Sequence, residues 1–137
     1  MLNLIFLIFQ SNLPNVETLP GGAPSSACDS MTPEHGVPST TCTNSYIIEP
    51  EHSSYDPSDS ILVTVRGKSS SDRFQGILMM ARDLENNVIG TWDVTNTAVK
   101  TVTCGKGGGI THTSSDDKVS ISAIWHSPNS SAGVILI

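Results

Sequence analysis

Along most of the chain, hydrophobic residues come in short runs with a period of two, separated by Gly, Pro, Asn, Asp and Ser. In "SILVTVRG", Ile61, Val63 and Val65 share one side and Leu62, Thr64 and Arg66 the other. That alternation predicts a strand with one face in a core. "KVSISAIWHS" alternates in the same way, setting Val119, Ile121, Ala123 and Trp125 against Ser120, Ser122, Ile124 and His126. "SYIIEP" predicts a short strand ended by Pro50. "RFQGILMMARD" carries Phe74, Ile77, Leu78, Met79 and Met80 with little interruption. Helix competes there, but Gly76 and the neighbouring strands favour a buried strand. Leu84 to Asn87 then reads as a hairpin turn, because Asn tolerates left-handed backbone angles, and "VIGTWDV" returns with Val88, Ile89 and Trp92. "AVKTVTC" adds Val99 and Val102, and "AGVILI" a last strand. About seven short strands at this spacing predict an all-β, antiparallel β-sandwich.

The N-terminal part has a different pattern. Residues 11–45 are rich in Pro, Ser, Thr and Gly and show no period. Pro14, Pro20, Pro24, Pro33 and Pro38 exclude a long helix, so an extended arm over the core is expected. Leu2 to Phe9 is apolar except for Asn3, the length of a signal-peptide core and too short to cross a bilayer. Residues 1–20 are therefore read as a signal peptide or disordered leader, against the rival reading of a buried strand. No Lys or Arg precedes the run, and no small-x-small cleavage site follows before Gly21. No other segment approaches the roughly 18 apolar residues of a membrane helix.

Composition narrows the function classes. A length of 137 residues makes one domain, and eleven glycines with eight prolines suit a turn-rich β fold. The formal charge is -6 and the seven Lys and Arg lie far apart. Without a basic stripe, nucleic-acid binding is excluded as the working reading. Three cysteines, Cys28, Cys42 and Cys104, in a secreted chain predict one closed pair and one odd thiol, and spacing alone cannot choose the pair.

The candidate chemistry is sparse. In "SSACDSMTPEHG", Cys28, Met31, Glu34 and His35 could each touch a soft or borderline metal, but their spacing matches no ligand signature. His35, His52, His112 and His126 fall in four separate segments and are read as surface histidines. His112, near Ser114, Asp116 and Asp117, is read as part of a polar loop whose side chains bond turn backbone. The glycines after Cys104 lack the order of a phosphate loop and predict a flexible turn. No G-x-S-x-G is present and no calcium loop surrounds Asp116 and Asp117, so no catalytic residue, metal or cofactor is expected. Asn129-Ser130-Ser131 is an N-glycosylation sequon. Trp125 shares the apolar face of its strand and is expected in the core, while Trp92 is undecided between core and contact surface.

Taken in order, "GAPSSACDSMTPEHG", "SYII", "SILVTVRG", "FQGILMMAR", "GTWDV" and "KTVTCGKGGGITHTSSDDKVSISAIWHSP" resemble the reeler domain. The resemblance runs from about Gly21 to the C-terminus, which places the domain at residues 21–137 with a last strand cut at Ile137. It implies an immunoglobulin-like sandwich and a disulfide between Cys28 and Cys104, leaving Cys42 free or intermolecular. A bond closing so long a loop is expected to contribute about 4 to 5 kcal/mol before strain. The resemblance further implies a secreted, extracellular defence protein of innate immunity, not an enzyme, whose partners are microbial surface components or host-cell surfaces. The alternatives it leaves are the reeler part of a ferric-chelate-reductase-like membrane protein and a matrix adhesion module.

Overall fold

The computed structural model describes residues 19–32, 45–130 and 133–134. The expected leader at Leu2 to Phe9, most of the arm, and Glu34, His35 and Cys42 lie outside the described residues. The elements in chain order are α1 (Ala27–Ser30), β1 (Tyr46–Pro50), β2 (Ser54–Tyr55), β3 (Ser60–Gly67), β4 (Leu78–Met80), β5 (Thr91–Val94), β6 (Val99–Cys104), β7 (Gly107–His112), β8 (Ser120–His126) and β9 (Gly133–Val134). They form an antiparallel four-stranded sheet in the order β1-β3-β8-β5, a three-stranded sheet in the order β4-β7-β6, and a two-stranded ribbon of β2 and β9.

The core lies between the two larger sheets. β8 pairs with β3 over its whole length, from Ser60 opposite His126 to Arg66 opposite Ser120. This register puts Ile61, Val63 and Val65 on the same side as Ile121, Ala123 and Trp125, all buried. The other sheet supplies Met79, Val99 and Ile110, and Phe74, Ile77 and Ala81 complete the layer. Trp92, opposite Trp125 in the ladder, also points inward and is buried. Trp125 donates its ring N–H to Ile89 O at 3.1 Å and meets Tyr55 edge-on at 5.0 Å, which fastens the small ribbon to the core. Gly90 allows this crowding: its φ is +72, and a Cβ there would run into the Trp125 ring.

Three expectations are corrected here. Val119 is 49% exposed, because the strand begins one residue later and Val119 sits in the bend before it. The glycines after Cys104 are not one flexible turn. Gly105 and Lys106 make the turn, and Gly107, Gly108 and Gly109 are strand residues of β7. A Cβ at Gly109 would lie 2.8 Å from Met79 O, so the close approach of β4 to β7 requires glycine. Finally, the return run after the turn at 83–87 keeps only the bridge of Arg82 to Val88 before crossing to the other sheet as β5. The turn itself is as expected: Asn86 has φ 68, and Asn86 N–H donates to Asp83 O at 3.0 Å.

Candidate functional site

One face of the sandwich is closed. Residues 19–32 form a strap across the outer side of β4-β7-β6, with the single helical turn α1 at one end. Ala27, Cys28 and Met31 pack there with Leu78, Met80 and Cys104 into a second buried cluster. Cys28 and Cys104 are joined in a disulfide spanning 76 positions of sequence. Arg82 is buried beneath the strap and finds carbonyls in place of an acid: Nη2 donates to Cys28 O at 2.6 Å and Nη1 to Asn86 O at 2.8 Å. These are charge-assisted bonds, and they satisfy a cation that would otherwise be costly to bury.

His112 corrects the surface reading made from sequence. It is the last residue of β7, 4% exposed, and holds the other end of the strap. Ile77 N–H donates to its Nδ1 at 3.1 Å, so its proton sits on Nε2 and is donated to Leu19 O at 3.0 Å. Next to it, Thr111 Oγ1 accepts Ala23 N–H at 2.8 Å and donates to Ile77 O at 2.9 Å. The sequence hid this role because the glycines before it break the strand pattern. Cys28 is spent in the disulfide and Met31 is buried, so neither is available as a metal ligand. Among the described residues no three His, Cys, Asp or Glu gather as a cation site.

The opposite face, the outer side of β1-β3-β8-β5, is not covered by any of the described residues. Ser60 Oγ lies 2.8 Å from His126 Nδ1, and His126 Nε2 lies 2.9 Å from Asp93 Oδ2. The order of groups is that of a nucleophile, base and carboxylate. Yet the chain of bonds lies on a flat sheet face with the Asp93 side chain 74% exposed, where water competes for every charge. Its evident work is to clasp β3, β8 and β5 together. Thr64 and Ser122 share a hydroxyl bond at 2.9 Å on the same face, and Arg66 pairs with Glu49 through two bonds at 2.7 and 2.8 Å. The Arg66 bonds hold the Glu49 carboxyl below its ordinary range.

Polar loops meet at the end where β3 stops and β8 begins. Segments 68–73, 95–98 and 113–117 lie there, and the last is tied to its neighbours: Thr113 N–H donates to Ala98 O at 3.1 Å, Thr113 Oγ1 to Thr97 O at 2.6 Å, and Gln75 Nε2 to Asp117 Oδ1 at 3.2 Å. The organising group is Lys118, only 7% exposed. Its Nζ donates to Gln75 O at 2.8 Å, Ser114 O at 2.7 Å and Asp116 O at 2.7 Å, using all three ammonium protons. Burial pushes its pKa below the usual lysine value, while the Asp116 and Asp117 charges pull it back up. The expected polar loop at Ser114, Asp116 and Asp117 is present, with Ser114 Oγ donating to Asp116 Oδ2 at 2.8 Å. Lys118 was missed, since a lysine beside two aspartates reads as one more solvated charge. The exposed side chains at this end include Lys68, Arg73, Asn96, Asp116 and Asp117.

The other end is a clasp. Ser127 Oγ accepts Asp59 N–H at 2.8 Å and donates to Asp56 O at 2.7 Å. Asn129 is exposed in a turn there, its Oδ1 accepting Ser58 Oγ at 3.0 Å. His52 is exposed nearby in the β1–β2 connection. Among the described residues no helix is long and apolar enough to cross a membrane.

Comparison with known proteins agrees with this architecture. A family model described as the reeler domain matches residues 26–137. The chain is 35% identical over 127 residues to "Putative defense protein 3" of Antheraea mylitta, covering 92% of this chain and 77% of that protein. It is 34% identical over 136 residues to "Putative ferric-chelate reductase 1" of Xenopus laevis, covering 93% of this chain but 22% of that protein. Among solved structures, the human F-spondin reeler domain aligns over 64% of this chain and 67% of its own, with a TM-score of 0.53 and 20% identity. This chain belongs to the reeler domain family.

Proposed function

We propose that this protein is a secreted defence protein of innate immunity that acts by binding, with microbial surface components or host-cell surfaces as partners. The observation that carries the reading is likeness in sequence: the chain is 35% identical to a protein named for defence, over 92% of its own length. The disulfide and a sandwich with one face strapped shut support an extracellular, non-catalytic platform. In this reading residues 1–20 are a leader removed on secretion, residues 21–137 form the mature domain, and Cys42 is free or bonded between molecules. Recognition is assigned to the loop end at 68–73, 95–98 and 113–117, where fixed polar loops stand on a rigid scaffold.

The 34% identity to the reductase relative favours a second reading, in which this chain is the extracellular reeler part of a longer membrane protein. The experiment that separates them is binding of the purified, oxidised domain to intact bacteria, with lipopolysaccharide and peptidoglycan as soluble competitors. Saturable binding removed by a competitor is expected. A folded, disulfide-bonded domain that binds nothing moves the weight to the membrane-protein reading.

A further inference from the structure

We propose that Lys118 is a tethered cation, a positioning residue that moulds the loop at 113–117 in the way a bound metal ion moulds acidic loops elsewhere. Three main-chain carbonyls, those of Gln75, Ser114 and Asp116, converge on its Nζ at 2.7 to 2.8 Å. Asp116 and Asp117 add negative charge beside it. Convergent carbonyls with carboxylate charge close by are surroundings that suit a hard cation such as calcium. Here the chain fills that point with its own ammonium.

The fit is specific to lysine. An ammonium is a compact charge with three donors, matching three convergent carbonyls one to one, whereas the planar fork of arginine spreads its donors in one plane. The stem is fixed as well, because Lys118 N–H donates to Phe74 O at 2.8 Å and Phe74 N–H to Lys118 O at 2.9 Å. One end of the side chain is therefore locked to the core, and the other gathers a carbonyl before β4 with two from the loop. Removing the charge leaves three carbonyls facing one another without a donor, which drives the loop open. The further consequence is that the loop end keeps its shape without calcium, so recognition there persists in the presence of a chelator. That consequence rests on the recognition reading given above; the role of Lys118 in shaping the loop does not.

The test separates the two. In the wild-type protein, nitrogen-15 NMR should show a slowly exchanging Lys118 ammonium signal with contacts to Gln75, Ser114 and Asp116. Lys118→Met, which keeps most of the stem and drops the charge, should leave the sheet protected while amide exchange at 113–117 accelerates by roughly tenfold or more. Lys118→Ala should do the same and be restored by n-propylammonium, the fragment removed, but not by n-propanol. Wild-type exchange in Lys118→Met, no hydrogen-bonded ammonium signal in the wild type, or equal rescue by the alcohol would each overturn the proposal. If the wild type binds no bacteria but these results hold, the recognition reading falls and the tethered cation stands. If the wild type binds and EDTA abolishes the binding, the claim of a metal-free loop end fails.

Discussion

Trp92 and Trp125 face each other across β5 and β8 and are both buried, yet their ring N–H groups fare differently. Trp125 has Ile89 O as acceptor, while Trp92 Nε1 is buried with no hydrogen-bond partner among the described residues. Replacing either by Phe removes similar volume, but only Trp125→Phe strands a carbonyl. We expect Trp125→Phe to cost about 1 to 2 kcal/mol more than Trp92→Phe, measured as the difference in urea midpoints at constant slope. Alternation identified Trp125 as core because its strand is long and regular. It left Trp92 undecided because β5 is four residues long, too short for a period to declare itself. His112 and Lys118 were misread for a related reason: residue type says what a side chain can bond, and only the fold says what stands opposite.

At the scale of elements, the hairpin turn at 83–87 is built around one carboxylate. Asp83 accepts the Asn87 side-chain amide at 3.0 Å, Asn87 N–H at 2.8 Å and Glu85 N–H at 2.9 Å, and these bonds lower its pKa, the Asn87 side chain contributing most. Because the folded-state value is depressed, the stabilisation is complete above the unfolded value near about 3.9 and is lost as pH falls through the lowered folded value. Protection of the Glu85 and Asn87 amides, measured against their intrinsic exchange rates, should fall in that acidic window in the wild type. Asp83→Asn should lower that protection at neutral pH and remove its change across the window. The strap is the second element with a measurable share. Changing Cys28 and Cys104 together to Ser should cost about 4 to 5 kcal/mol by the chain-entropy argument, read as a lower denaturant midpoint. β3 and β8 were legible because one face of each is buried and the other wet. β7 was not, because glycine carries no hydropathy signal; the strap was legible from its prolines as an extended arm over the core, but not which of its residues the core would bury.

For the molecule as a whole, the two ends take different parts. Asn129 stands exposed at the clasped end, with its Nδ2 left for modification while Oδ1 is held by Ser58. Expression through a secretory host should yield a species that loses mass on treatment with a glycan-releasing amidase, and Asn129→Gln should abolish that loss; an unshifted wild type would refute the assignment. A glycan there leaves the Lys118 end clear, so Asn129→Gln should not weaken binding to bacteria. The sandwich was legible in the strand alternation, and its disulfide through the reeler resemblance. Which end binds was not, since that depends on loops brought together from three parts of the chain. The bond between Cys28 and Cys104 also decides how the molecule bears load. Tension applied between the chain termini passes along the backbone into Cys28 and out of Cys104, so the segment holding β1 to β6 cannot be drawn out while the bond holds. Under force the intact domain can pay out only the chain outside that bond. Reduction would release the 76-residue separation, roughly 250 Å of extra length, in a single stretch.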